Sequence, residues 1–71
     1  MDKITMKIIY DLESKMESCL NGDWTPIQCW HYAYGVERTI RMFINNNEDF
    51  EVALRLLHIF MCVMEHLMKN E

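Results

Sequence analysis

A chain of 71 residues has room for one domain, and at that size folding hides only roughly 60% of the unfolded surface, so the chain's own core is marginal. A net charge of −4 disfavours DNA or RNA as a partner, because nucleic-acid readers carry a basic patch. Three cysteines are an odd number, and the first residues hold scattered charges rather than an apolar run; a disulfide scaffold and a secretory leader are therefore not expected, and a reducing, cytoplasmic setting is.

The first periodic segment runs from about residue 2 to residue 20. Ile9, Leu12, Met16 and Cys19 recur at spacings of three and four, and Ile8 and Leu20 widen the stripe. Lys7, Asp11, Glu13, Lys15 and Glu17 lie largely elsewhere. That pattern predicts an amphipathic helix with one buried face. Asn21-Gly22-Asp23 ends it, since Asn and Gly tolerate the left-handed conformation that closes helices.

The second segment opens on Thr25-Pro26-Ile27-Gln28. Thr25 is an N-cap, Pro26 loses nothing at the first helical position, and Gln28 can return a hydrogen bond to the cap. Trp24, just before the cap, is placed to pack on Cys29 as a hydrophobic staple. The helix is predicted over residues 26–44, with Ile27, Trp30, Ala33, Ile40, Phe43 and Ile44 as its apolar stripe and Tyr34 and Val36 at the margins. Gly35 interrupts it at about 1 kcal/mol relative to Ala; close approach of a neighbouring helix or a bulky aromatic is the expected reason. Asn45-Asn46-Asn47 then separates this helix from the next.

The third segment, residues 48–70, begins with Glu48, Asp49 and Glu51 and carries Lys69 near its end, both signs favourable to the helix dipole. Two heptad stripes run along it. One is Phe50, Leu54, Leu57, Met61, Met64 and Met68; the other is Ala53, Leu56, Phe60, Val63 and Leu67. A polar strip of Glu51, Arg55, His58, Cys62, Glu65 and Lys69 lies opposite, with Glu→Arg and Glu→Lys pairs at the i,i+4 spacing. Arg55, His58, Glu65 and His66 interrupt the apolar run too often for a membrane span, which needs about 20 largely apolar residues.

The expected architecture is all-α: a three-helix bundle, or an antiparallel helical hairpin plus a third helix, in a single domain over residues 1–71 and completed by dimerisation. Hydrophobic residues make up 51% of the chain, more than so small a globule hides easily. The self-association surface is assigned to Leu54, Leu57, Met61, Met64 and Met68, and a two-fold homodimer is the commonest closed form.

Chemistry-bearing residues are few. His58, Cys62 and His66 stand at i, i+4 and i+8, but a structural zinc site needs four ligands and cysteine pairs at short spacing. Neither is present, so no metal and no cofactor is expected. Cys62 beside His58 on an open helix offers a nucleophile no oxyanion hole or pocket, and no enzymatic activity is expected. Trp24, Trp30, His31, Tyr32 and Tyr34 cluster before Arg38 and Arg41. Trp, Tyr and Arg dominate binding hot spots, and His31, Tyr34, Arg38 and Arg41 recur at helical spacing, so they form the candidate partner- or ligand-binding face. The competing reading makes Trp30 and Tyr34 core and the arginines solvated partners of Glu37 or of acids on another helix.

By elimination, the leading expectation is a non-enzymatic protein-interaction module, an inhibitor or modulator that occupies a partner's surface. Very small acidic helical proteins of phage and other mobile elements often work in that way, anti-defence proteins among them. One alternative is a binder of nucleotide-like ligands with its site at a subunit interface. A second is a DNA-binding regulator, against which stand the acids that open segment three, where phosphates would lie.

Overall fold

In the computed structural model the chain forms α1 (Lys3–Leu20), α2 (Pro26–Phe43) and α3 (Glu48–Lys69). The structure describes residues 3–43 and 48–70. Asp2, Ile44 and the Asn45-Asn46-Asn47 boundary, which the sequence reading used, lie outside the described residues.

Both predicted signals between α1 and α2 are in place. Gly22 adopts φ +83°, the left-handed region in which a side chain is strained. Around it the amide of Asn21 donates to the Glu17 carbonyl at 2.9 Å, that of Gly22 to Cys19 at 3.1 Å and that of Asp23 to Ser18 at 2.9 Å. These bonds satisfy carbonyls that the helix end would leave open. At the start of α2 the capping box closes reciprocally: the Thr25 amide donates to Gln28 Oε1 at 2.8 Å and the Gln28 amide to Thr25 Oγ1 at 3.3 Å.

The core is one seam from each helix. Thr5 and Leu12 are buried on α1; Cys29, Ala33 and Ile40 on α2; Phe50, Ala53, Leu57, Phe60 and Met64 on α3. The α3 seam threads between the two heptad stripes and draws from both. Leu57 and Met64, assigned from sequence to self-association, are completely buried within the single chain, while Leu54, Met61 and Met68 are half-buried. The physical reason is geometric: a helix wedged between two neighbours turns the middle of a broad apolar arc inward and leaves its edges out.

Four further expectations are corrected. Leu20, placed in the α1 stripe, is 72% exposed, and Ile27, placed in the α2 stripe, is 45% exposed; each sits in the first or last turn of its helix, where a neighbouring helix covers least. Gly35 has no neighbour within 4 Å of where a Cβ would stand, so close approach does not account for it. The i,i+4 pairs expected on α3 are not within ion-pair distance either; the ion pairs among the described residues converge on Glu37 instead. Exposed pairs gain too little to hold two long side chains in one geometry.

α1 and α2 run antiparallel: Cys29 Sγ donates to the Lys15 carbonyl at 3.6 Å, and, farther along both helices, Tyr32 meets Asp11. α3 returns alongside α2, so α1 and α3 point the same way. No helix among the described residues is long and apolar enough to cross a membrane.

Candidate functional site

Three helices enclose three grooves, and each is finished differently. The groove between α1 and α2 is sealed. Lys15 Nζ lies 4.3 Å from the centre of the Trp24 ring and 5.2 Å from that of Tyr32, and the two rings meet edge to face at 6.4 Å. An ammonium over aromatic faces is attracted by their quadrupoles, and its four-carbon stem covers the seam. Trp24 thus packs at the α1–α2 end against Lys15 and Tyr32. Burial pushes the Tyr32 phenol above its ordinary range, and the Asp11 carboxylate, which accepts its hydrogen bond, adds to the rise. The Cys29 thiol is raised in the same way, chiefly by burial and then by the neighbouring Cys19, with Lys15 opposing.

The exposed side of α2 carries the candidate site. Trp30 and Tyr34 stack with centroids 5.3 Å apart and planes 9° from parallel. His31 packs edge-on against Trp30 at 5.3 Å, and the Arg38 guanidinium lies 5.9 Å from the Tyr34 centroid. Trp30, Tyr34 and Arg38 are spaced i, i+4, i+8, so the helix itself stacks them into a ladder. Trp30 is half-buried, whereas Tyr34, His31 and Arg38 are exposed. The Trp30 Nε1 atom is buried and has no hydrogen-bond partner among the described residues.

No protein family, curated protein or solved structure matches this chain. What the site can do rests on its own geometry.

The structure joins three of the four sequence-assigned residues, His31, Tyr34 and Arg38, to one another through Trp30 and Tyr34, and pairs the fourth with Glu37. Arg41 Nε is held by Glu37 Oε1 at 3.2 Å, and the other Glu37 oxygen takes His58 Nε2 at 2.6 Å. Glu37 is only 13% exposed. It clasps α2 to α3, and Arg41 belongs to that clasp rather than to the ladder. The solvated-pair reading therefore holds for Arg41, while the core reading fails for the exposed Tyr34. Ile27, 45% exposed, extends the face one turn toward the start of α2; its i, i+3, i+7 relation to Trp30 and Tyr34 was visible in the sequence but was read as core.

Of the histidine–cysteine set on α3, His58 is engaged by Glu37 and His66 Nε2 lies 3.1 Å from Asn70 Nδ2. Cys62 is exposed. No group of three or more His, Cys, Asp or Glu side chains converges for a metal among the described residues.

The third groove, between α1 and α3, is open and apolar. It encloses about 230 Å³ and is lined by Ile9, Leu12, Glu13, Met16, Leu56, Ile59 and Phe60.

Proposed function

We propose that this chain is a non-enzymatic protein-interaction module that captures a partner protein on the α2 face built from Ile27, Trp30, His31, Tyr34 and Arg38, and that it acts as an inhibitor or modulator by covering that partner's surface. The observation that carries this reading is the stacked Trp30–Tyr34–Arg38 ladder. A flat aromatic pair pre-ordered by stacking loses little side-chain entropy on binding. Its residue types are those that anchor interfaces, and the guanidinium at its end gives the face a charge that an acidic rim can meet. A second copy of the chain is part of the same proposal, since the exposed apolar residues lie on more than one face.

Affinity capture from host lysate with the native chain and with Tyr34→Ala and Arg38→Glu tests it. Loss of a hot-spot residue costs about 2 kcal/mol or more, roughly 30-fold in affinity. The captured protein should therefore disappear with either variant while circular dichroism stays helical. Capture that survives both substitutions overturns the assigned face.

A further inference from the structure

The turn at Gly22 lays the start of α2 against the end of α1, and with it brings together two of the three cysteines. Cys29 is completely buried, and Cys19, half-buried, packs against the same core cluster. The Cys29 thiol donates to the Lys15 carbonyl at 3.6 Å. A carbonyl in an α-helix points toward the residue four positions on, which here is Cys19. The two thiols accordingly meet in a side-chain hydrogen bond. Both backbones are fixed where they meet: the Cys19 carbonyl accepts the Gly22 amide at 3.1 Å, and the Cys29 amide donates to the Thr25 carbonyl at 3.1 Å.

We infer that Cys19 and Cys29 form a redox-modification site, which hydrogen peroxide oxidises to a disulfide stapling the end of α1 to the start of α2, and which a thiol reductant reopens. In a reducing setting such bonds are transient and redox-sensing rather than structural. The odd cysteine count argues against a scaffold of disulfides but not against a bond between these two. The site requires neither the partner face on α2 nor a second copy of the chain.

Exposure assigns the order of events. Cys19 is the sulfur that an oxidant can reach, and Cys29 is closed to it. The Cys19 sulfur attacks one peroxide oxygen and the O–O bond breaks. The departing oxygen takes the thiol proton and leaves as water, and Cys19 becomes a sulfenic acid. The Cys29 sulfur then attacks the Cys19 sulfur. The S–S bond forms, the S–O bond breaks, and the hydroxyl leaves with the Cys29 proton as a second water. Two electrons have passed from the sulfur pair to the peroxide. Burial raises the Cys29 thiol above its ordinary range, so it is inert toward free oxidant; held against the sulfenic sulfur, it acts through proximity. A dithiol reductant reverses the bond by exchange and itself becomes the disulfide.

The third cysteine stands apart. Cys62 is exposed. It lies two residues from each of the buried Phe60 and Met64, about 200° around α3 from both, and so faces away from the other helices.

Hydrogen peroxide added to the reduced full chain, followed by intact-mass measurement and non-reducing peptide mapping, tests this, with Cys62→Ser as the background that removes the exposed thiol. The oxidised chain should be lighter by two hydrogens, with Cys19 linked to Cys29. Circular dichroism should stay helical, the melting temperature should rise by about 8 °C or more, and dithiothreitol should reverse both the mass change and the rise. Cys29→Ser in the same background should stop at a Cys19 sulfenic acid that dimedone captures; Cys19→Ser should give neither bond nor capture. Over-oxidation of Cys19 with Cys29 left as a thiol overturns the inference, as do thiols that both survive excess peroxide. A link that forms only in urea, that costs helicity or that fails to raise the melting temperature overturns it as well.

Discussion

Gly22 and Gly35 share a residue type but not a reason. At φ +83°, Gly22 holds a conformation that costs an L-residue about 1–2 kcal/mol, although the space around it is open. Gly35 lies in the interior of α2 with nothing near its missing Cβ. Its carbonyl accepts the Thr39 hydroxyl at 2.9 Å, a contact that does not involve its own side chain. Gly22→Ala is therefore expected to destabilise by about 1–2 kcal/mol, and Gly35→Ala to stabilise by about 1 kcal/mol, which for a domain of this size moves the melting temperature by about 4–8 °C. Thermal unfolding of the two variants checks both signs, and a destabilising Gly35→Ala would show that α2 needs its freedom there. The first role was legible in the sequence, because Asn-Gly-Asp follows a periodic segment. The second was misread, because a glycine inside a helix looks the same whether it admits a neighbour or merely leaves a gap.

At the level of the helix, what periodicity conveys is which residues are apolar, not which of them lies at the centre of the arc. On α3 the two stripes were both legible, yet the seam that packs runs between them. Its position was set by where α1 and α2 happen to lie, which no single-helix pattern contains. The same limit explains Cys29. The staple with Trp24 marked it, but its place as a fully buried core residue depends on the Lys15 carbonyl of another helix. The energetic consequence is large for Leu57, which has no exposure at all. Leu57→Ala should cost about 2–5 kcal/mol, a large share of the 5–15 kcal/mol typical of a whole domain. Urea unfolding would register this as a shifted midpoint or an unfolded chain. A change below about 1 kcal/mol would place Leu57 outside the core. The cap at Thr25 and the turn at Gly22 were, by contrast, read correctly, since local chemistry alone determines them.

Across the whole molecule the three grooves divide the labour. One is closed by Lys15, Trp24 and Tyr32; one is clasped by Glu37 and presents the aromatic ladder; one is left apolar and open. The closed groove makes stability depend on alkaline pH. Cys29 and Tyr32 are both raised above their ordinary values of 9.0 and 10.0, so in that range the folded chain retains protons that the unfolded chain has released. Their contribution is complete below pH about 9 and declines as pH rises through the folded-state values. Unfolding free energy should accordingly fall more steeply above pH about 10 in the native chain than in Tyr32→Phe. Identical slopes would show that Tyr32 is not held neutral by its surroundings. None of this was legible beforehand: Asp11, Lys15, Trp24 and Tyr32 come together only once α1 and α2 have docked. Of the Glu37 clasp only the Arg41 pair was legible, from its i,i+4 spacing; the His58 contact exists only once α3 lies against α2.

The placement of the two tryptophans has an optical consequence. Trp24 lies beneath a lysine on one flank of α2, Trp30 against a tyrosine on the other, and neither lines the groove between α1 and α3. Indole emission from this chain is thus a lamp for α2 alone. A protein seated on the Trp30–Tyr34 ladder is expected to change its colour, whereas anything seated in the groove between α1 and α3 is expected to leave it unlit.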